Sequence, residues 1–292
     1  MYINDIKNSV NKLKLGLYAD DSCFYASGPD LNSVINVINE ELHELDKWVK
    51  ANRLTLSYSK SHYILFHRQL NIPDNYSRIR IDNISINEVK QTKFLGIVIN
   101  YNLKWDTHVN NIVSKINKYS SIFFQVRNYL DRNSFKLIYN SLVYSALTYG
   151  NIIWGKTVKR NINKLQVAQK KLVRTIMFRQ RRAHTNLDFF SLSFLKINDI
   201  NNYFAGIFTY KSLNFITEPY NYFQAANNFH PYPLRNNLEL RAPFSNSAQG
   251  RSSPAIYCCK IWTEIPNEIK NKPSVASFKF ALKNFLLNRY VE

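Results

Sequence analysis

The chain has 292 residues, of which 45% are hydrophobic and 14% aromatic. This composition is typical of a folded protein and argues against a disordered or low-complexity chain. Lysine and arginine number 39 against 20 aspartates and glutamates, a formal net charge of +19. Such an excess predicts a polyanionic partner, usually nucleic acid, although a generically basic protein is the alternative.

No stretch reaches the roughly 18 consecutive apolar residues that a membrane helix needs. Residues 1–5 lack the basic and apolar regions of a signal peptide, so we expect an intracellular protein without a membrane partner. The three cysteines, Cys23, Cys258 and Cys259, have neither zinc-ligand spacing nor a disulfide framework. We therefore expect buried thiols and no disulfides.

The most informative stretch lies near the N-terminus. Residues 13–18 alternate between apolar and other side chains, and residues 22–26 form a second strand-prone run. This pattern predicts a tight β-hairpin with Asp20 and Asp21 at its tip. Two ionised carboxylates side by side repel each other, and a hard divalent cation such as Mg²⁺ removes that conflict. Aspartate is also a common turn residue, so a plain turn is the alternative.

The elements after the hairpin are predicted to mix helix and strand. Residues 31–50 have an amphipathic pattern that predicts a helix, with Asp30 as its N-cap. Asp82-Asn83 predicts the turn of a second hairpin, and Gly96 inside a strand indicates a bulge or a close backbone approach. Short strands are predicted at residues 62–66, 78–81, 84–86 and 92–99. Residues 1–100 are therefore predicted to form an α+β domain.

Helical periodicity dominates from Asp106 onwards. Helices are predicted over residues 106–130, 134–149, 161–178 and 197–215, so residues 101–215 are predicted to be a helical domain. Residues 216–254 are rich in asparagine, proline and serine and are predicted to be irregular. A terminal amphipathic helix is predicted over residues 274–287, which makes residues 216–292 a linker and a helical tail.

The helical region contains a long stretch without negative charge. No acidic residue lies between Arg132 and Leu187. Lysine and arginine contacts to phosphates release counterions and add affinity that is independent of sequence. The alternative is a solvated basic face. The candidate nucleic-acid contacts are Lys164, Lys170, Lys171, Arg174, Arg179, Arg181 and Arg182.

Several short motifs follow one another along almost the whole chain. They are Tyr2-Ile3-Asn4-Asp5-Ile6; Tyr18-Ala19-Asp20-Asp21; Trp48 with Asn52, Leu54, Leu56 and Lys60; Phe94-Leu95-Gly96; Leu103-Lys104-Trp105 with His108; Tyr149-Gly150-Asn151-Ile152-Ile153-Trp154-Gly155; Leu165-Gln166 with Gln169-Lys170 and Arg174; Trp262 with Ile265-Pro266; and Phe278-Lys279. In this order they resemble the C-terminal half of reverse transcriptases of non-LTR retrotransposons, the LINE class and most nearly jockey-like elements.

The resemblance implies an α+β fold in which a partial palm precedes an all-helical, basic thumb and a C-terminal tail. Asp20 and Asp21 match the metal-binding palm aspartates, which hold Mg²⁺ or Mn²⁺ for two-metal nucleotidyl transfer in a complete polymerase. Tyr18 matches a position beside the primer–template duplex. The implied partners are an RNA template, a DNA primer and, in the complete enzyme, a dNTP.

Two further sites follow from the resemblance alone. Lys60 matches a palm lysine near the incoming nucleotide, a candidate proton donor to pyrophosphate, and its alternative is a solvated loop lysine. Phe94, Leu95 and Gly96 resemble the primer grip, which holds the primer end through backbone contacts. The alternative interpretation is that these three residues belong to an ordinary core strand.

The resemblance also implies parts that are missing from this sequence. A polymerase centre needs a third palm carboxylate and the fingers, and Asp5, the only acid before Asp20, matches a different segment. We therefore expect a polymerase fragment that is inactive alone, in the nucleus or in a cytoplasmic ribonucleoprotein. The alternatives are a non-catalytic nucleic-acid-binding module and a translated relic without function.

Overall fold

The computed structural model describes residues 3–67, 76–214, 223–225 and 240–291. The chain separates into two compact units, Met1–Lys93 and Phe94–Glu292. The predicted division at residues 100 and 215 is a different, three-part partition and stays a prediction. Tyr2, Phe215 and most of the predicted irregular linker lie outside the described residues.

The first unit contains one long helix and several short strands. Their bounds are a 3-10 helix (Ile6–Ser9), β1 (Lys14–Tyr18), β2 (Asp21–Tyr25), α1 (Leu31–Ala51), β3 (His62–Tyr63), β4 (Arg80–Ile81), β5 (Ile84–Ser85), β6 (Asn87–Glu88) and β7 (Gln91–Phe94). β1 pairs with β2 and β4 with β5, both antiparallel, while β3 pairs with β6 in parallel. The α+β class is therefore confirmed, with two-stranded sheets.

Helix α1 forms for the reasons that the sequence indicates. The Asp30 carboxylate accepts hydrogen bonds from the backbone N–H and the hydroxyl of Ser33, both at 2.7 Å, and so caps the first turn. Ile35, Leu42 and Leu45 are buried on the apolar stripe of the helix. The predicted helix and its N-cap are confirmed.

Two acidic residues of α1 are buried although they lie outside the apolar stripe. Glu41 Oε2 accepts the backbone N–H groups of Asn11 and Lys12, and this satisfies its charge. Asp46 is 3% exposed and forms an ion pair with Lys50 at 2.7 Å. The carboxylates of Glu41 and Asp46 can be buried because each is paired with a charged group or with backbone donors.

The predicted strands have mixed outcomes. Asp82 (φ +48°) and Asn83 (φ +64°) both adopt the left-handed conformation of a type I′ turn, which confirms the second hairpin. The strand predicted at residues 62–66 is only two residues long. The single strand predicted at residues 92–99 is wrong: the chain turns at Leu95 (φ +45°) and Gly96 (φ +80°) into a hairpin of β7 and β8 (Ile97–Asn100).

The second unit is mainly helical. Its elements after β8 are α2 (Asp106–Val126), α3 (Arg132–Ile138), a π-helix (Tyr139–Tyr144), α4 (Ser145–Thr148), α5 (Asn151–Trp154), α6 (Lys159–Ile176), α7 (Asn186–Leu192), α8 (Ile197–Asn214), β9 (Gln224–Ala225), β10 (Leu240–Arg241), α9 (Ala248–Arg251), α10 (Pro254–Glu264), α11 (Asn267–Lys270) and α12 (Val275–Asn288). The predicted helical character of residues 101–214 is confirmed.

Several predicted bounds in the second unit change. The helix predicted at residues 134–149 is three consecutive helical segments, with the π-helix in the middle. Residues 248–251 lie in α9, and residue 254 begins α10, so the irregular prediction is wrong there. The terminal helix is confirmed, because Ser274 caps α12 in a reciprocal pair with Ser277.

The core of the second unit is formed by one face of each long helix. All five residues predicted to face inward from α6 are buried: Leu165, Ala168, Leu172, Val173 and Ile176. Trp154 and Trp262, at 0% and 1% exposed, fill the core with large aromatic area. Among the described helices, not one combines the length and the apolar composition that crossing a bilayer requires.

The cysteines correct one expectation. All three thiols are free, which agrees with the predicted lack of disulfides. Cys258 and Cys259 are buried, but Cys23 is exposed on the hairpin. Strand alternation places Cys23 opposite Gly16, on the face that points away from the core of the first unit.

Candidate functional site

The hairpin of β1 and β2, which we call the carboxylate hairpin, has the form that the sequence predicts. β1 and β2 pair from Lys14–Tyr25 at the open end to Tyr18–Asp21 at the tip, so Ala19 and Asp20 make a two-residue turn. Asp21 shares a face with Tyr18, and both side chains are exposed. The two carboxylates are therefore presented to solvent beside an aromatic ring.

The turn at the tip is strained. Ala19 has φ +53°, a left-handed conformation that crowds a Cβ atom and that glycine adopts without this cost. A two-residue hairpin loop needs such a conformation to match the twist of its strands. The hairpin thus keeps a non-glycine residue where the backbone disfavours one, next to the two carboxylates.

The carboxylates of Asp20 and Asp21 have no hydrogen bond or ion pair to any described residue. Their oxygen atoms suit a hard cation such as Mg²⁺. Within the described residues, however, no three histidine, cysteine or acidic side chains come together as a possible metal site. The described donors therefore do not make the complete two-metal centre that the sequence resemblance implies.

Lys60 lies in the turn that follows α1. Its backbone N–H donates to the Ser57 carbonyl at 3.1 Å, and its own carbonyl lies 3.0 Å from His62 Nδ1. The side chain is exposed, and no described hydrogen bond or ion pair connects it to the carboxylate hairpin. The structure thus fixes the backbone of Lys60 and leaves its ammonium group in solvent.

Phe94, Leu95 and Gly96 form a turn that packs against Tyr149. The Tyr149 hydroxyl donates to the Leu95 carbonyl at 2.6 Å. A Cβ atom on Gly96 would lie 3.2 Å from the Tyr149 ring, so glycine permits both the positive φ and the close approach. The predicted close backbone approach at Gly96 is confirmed, although its partner is a side chain of the same unit.

The motif that begins at Tyr149 is held by buried hydrogen bonds. Trp154 Nε1 donates to the Tyr149 carbonyl at 2.8 Å. Asn151 Nδ2 donates to Asn201 Oδ1 at 2.8 Å, and Asn201 in turn donates to the Gly155 carbonyl. These contacts join α5 to α8, so the polar residues of the motif have a structural role.

Helices α2 and α6 lie side by side and run parallel. Arg160 donates to Asp106 Oδ1 at 2.9 Å, and one turn later Lys164 donates to Asn110 Oδ1 at 2.8 Å. Both contacts join residues 54 positions apart, so the two helices advance in register. Both contacts are also exposed, which places this seam between α2 and α6 at the surface.

Some of the predicted nucleic-acid contacts are already engaged within the chain. Arg179 forms an ion pair through two nitrogens with the buried Asp188, at 3.0 and 3.1 Å. Arg174 Nε donates to the Ala183 carbonyl at 2.9 Å. The acid-free stretch is thus partly neutralised by Asp188, the first acid beyond it.

The remaining predicted contacts are four cations on α6 and in the loop after it, which we call the basic face: Lys170, Lys171, Arg181 and Arg182. No described residue forms a hydrogen bond or ion pair with these four side chains. Lys171, Arg181 and Arg182 are exposed, and Lys170 is half-buried. Unpaired cations without nearby acids are available for phosphate groups.

Gln169, one of the motif residues on α6, is completely buried and has a structural role that the sequence patterns did not predict. Its Nε2 donates to Tyr139 Oη and to the Leu195 carbonyl, both at 2.8 Å, and its Oε1 accepts the Ile197 N–H at 3.0 Å. Periodicity gives no sign of this role, because a glutamine on an inward-facing position resembles any other polar interruption. The contacts fix α6 against the loop that leads into α8.

Among the described residues, the carboxylate hairpin and the basic face are candidate binding groups. Comparison of the chain with protein-family models, with curated proteins and with solved structures finds no match.

Proposed function

We propose that this chain binds nucleic acid through the basic face, by phosphate contacts that do not read base sequence. The single observation that supports this most is the group of unpaired cations on an acid-free stretch of 18 helical residues and the loop after it. Each phosphate contact releases counterions, so affinity from this surface depends strongly on salt. Such contacts position a nucleic acid without specifying its sequence.

We place this activity in a reverse transcriptase of the non-LTR retrotransposon kind, as the motif order suggests. In that proposal the first unit contributes part of the palm and the second the thumb, with an RNA template, a DNA primer and a dNTP as partners of the complete enzyme. Asp20 and Asp21 would bind Mg²⁺ or Mn²⁺ weakly alone, because two carboxylates of one turn supply few of the oxygen ligands that such ions take.

The binding proposal is tested by fluorescence anisotropy with a labelled 20-base-pair DNA duplex and an RNA–DNA hybrid across a range of salt concentrations. We expect the logarithm of affinity to fall linearly with the logarithm of salt concentration. Replacing Lys170 and Lys171 together by alanine removes up to two phosphate contacts and reduces the slope by about 2. Lys47→Ala is the control, since Lys47 is paired with Glu44 in the first unit. Salt-insensitive binding, or none, contradicts the proposal.

A primer-extension assay tests the catalytic part separately. We expect no DNA synthesis on a primed RNA template with Mg²⁺ or Mn²⁺, because the described residues bring no third carboxylate to the hairpin. Synthesis by this chain that disappears in Asp20→Asn would show instead that the pair supports catalysis.

A further inference from the structure

A cluster of two exposed rings and one half-buried arginine lies at the C-terminal ends of α2 and α6. The Arg127 guanidinium lies 4.2 Å from the centre of the Phe124 ring and 4.9 Å from that of Phe178. The two rings are 58% and 56% exposed. We call these three residues the Phe–Arg–Phe cluster.

The parallel arrangement of the helices brings the cluster together. Phe124 and Phe178 are 54 positions apart, the same offset that joins Asp106 to Arg160 near the other end of both helices. The cluster therefore lies at the end of the seam between α2 and α6. Arg127 follows the last turn of α2 and reaches both rings.

The backbone at Phe178 is unusual for so large a residue. Helix α6 ends in a Schellman motif, in which the Arg179 N–H donates to the Arg174 carbonyl at 2.9 Å and the Phe178 N–H to the Thr175 carbonyl at 3.4 Å. Phe178 occupies the left-handed position of this motif with φ +53°, where glycine is usual. The core does not explain this choice, because the ring is mostly exposed.

Near the cluster in sequence, cations outnumber acids. Asp131, four residues after Arg127, is the exception, and its carboxylate caps α3 by accepting the N–H groups of Asn133 and Ser134. Lys171 lies on α6 about two turns before Phe178, and Arg181 and Arg182 follow Phe178 within four residues. All three side chains are exposed. Asp188, the nearest acid after the helix in sequence, is buried in its pair with Arg179. Exposed rings among unpaired cations fit a ligand that has both flat faces and negative charge.

We propose that the Phe–Arg–Phe cluster stacks an unpaired base of a single-stranded nucleic acid, while Lys171, Arg181 and Arg182 hold the adjoining phosphates. Bases in single strands stack on aromatic side chains and on the planes of arginine guanidinium groups. In a duplex, each base face is already covered by its neighbours, so the cluster favours single strands. This inference rests on the proposed function and adds the class of ligand to it.

The test compares variants by anisotropy with labelled single-stranded oligo(dT) and oligo(rU) of 12 nucleotides and with a 12-base-pair duplex. Phe124→Ala and Phe178→Gly are each expected to weaken single-strand binding about 5- to 150-fold, the range for loss of one stacked base. Duplex binding should change less than twofold. The two single strands separate DNA from RNA as the source of the base.

Two controls distinguish a lost ligand contact from a damaged fold. Phe280→Ala removes a ring that is 71% exposed on α12, away from the cluster in sequence, and should leave binding unchanged. Phe178→Gly relieves the left-handed strain and should melt at or above the temperature of the parent chain. A variant that is more stable but binds single strands more weakly identifies the ring as a binding group.

A fluorescent base reports stacking directly. An oligonucleotide that contains 2-aminopurine should lose fluorescence on binding the parent chain and keep it with Phe124→Ala. Single-strand binding that is unaffected by both cluster variants overturns the inference, even if the salt dependence of duplex binding upholds the proposed function. A cluster variant that changes sedimentation of the free chain, but not single-strand binding, also overturns it, because the cluster would then contact a second copy.

Discussion

The carboxylate hairpin and helix α6 both present charged side chains to solvent, but they are supported differently. One face of the hairpin contacts the core of the first unit through Leu15 and Phe24, and its opposite face is exposed. Helix α6 instead buries Leu165 and Leu172 completely. The basic side chains of α6 are therefore held in position by a large core, whereas the carboxylates are positioned mainly by a two-residue turn.

The two cores also differ in composition. Among the described residues of the first unit, the buried core side chains are aliphatic, such as Leu45 and Val49, and the aromatic side chains around them are only partly buried. The core of the second unit includes Trp154, Trp262 and Phe278, and aromatic side chains bury more area than aliphatic ones. The proposed binding surface therefore lies on the unit with the larger aromatic core, and this comparison leads to four predictions.

The largest contrast is expected in thiol reactivity. Burial raises the pKa of Cys258 to about 12 and that of Cys259 to about 11. Partial burial also raises the pKa of Cys23, but its side chain is exposed on the hairpin. Alkylation of the native chain at pH 8 should therefore modify Cys23 at least about 1000-fold faster, since the buried thiols react only on opening of a stable core. Mass spectrometry of quenched samples gives the three rates. Equal alkylation rates for the three thiols would contradict the view that the core of the second unit is held more firmly than the hairpin.

The next effect concerns the hydrogen bonds of Gln169 that hold α6 in place. Gln169→Leu leaves the Ile197 N–H and the Leu195 carbonyl without their buried partner and should lower the free energy of unfolding by about 2–5 kcal/mol. Denaturant titration measures the change. Gln166→Leu, one turn earlier and half-buried, is the matched control and should change stability by less than about 0.5 kcal/mol. Similar results for the two variants would show that the network does not stabilise α6.

A smaller effect is expected at the tip of the hairpin. Ala19→Gly relieves the positive φ and should stabilise the hairpin by about 1 kcal/mol. Amide hydrogen exchange in β1 and β2 should slow correspondingly. Ala26→Gly tests the same substitution just after β2, where φ is not positive, and should destabilise by about 0.5–1 kcal/mol. Faster exchange in Ala19→Gly would exclude strain at the turn.

The smallest effect concerns Asp199 in the second unit. Burial raises the pKa of Asp199, while the Tyr290 hydroxyl and the positive charge of Lys196 oppose that rise. Because the folded-state pKa lies above the unfolded one, the ionised form costs stability, and this cost appears as pH rises through the folded-state pKa. Asp199→Asn should therefore stabilise the chain by up to about 1 kcal/mol at pH 7.

The pH dependence supplies the check on Asp199. The advantage of Asp199→Asn should shrink as the pH falls through the raised pKa, because the parent carboxyl then becomes neutral as well. Thermal melts at pH 4 and pH 7 measure both differences. An advantage that stays constant between the two pH values would exclude ionisation as its cause.

Much of the local structure could be predicted from the sequence, because local chemistry determines it. The alternation of residues 13–18 gave the carboxylate hairpin, Asp30 gave the N-cap of α1, and Asp82-Asn83 gave a type I′ turn. The inward stripe of α6 follows from helical periodicity alone. Each of these features depends on residues within a few positions of one another.

The sequence prediction failed where a residue's role depends on a distant partner. Gly96 was expected inside a strand, but the chain turns there against Tyr149. Arg179 was expected to be free for phosphate, but it pairs with Asp188, which folds back from α7. Neither contact has a signature in local periodicity.

The sequence by itself determined the excess of positive charge, the helical character of the second unit and the position of the two carboxylates. Only the tertiary structure decided which cations are unpaired and that Phe124, Arg127 and Phe178 meet. The physical reason is that propensity and periodicity act over one or two turns, whereas this cluster requires two helices to pack in parallel register across 54 positions of chain.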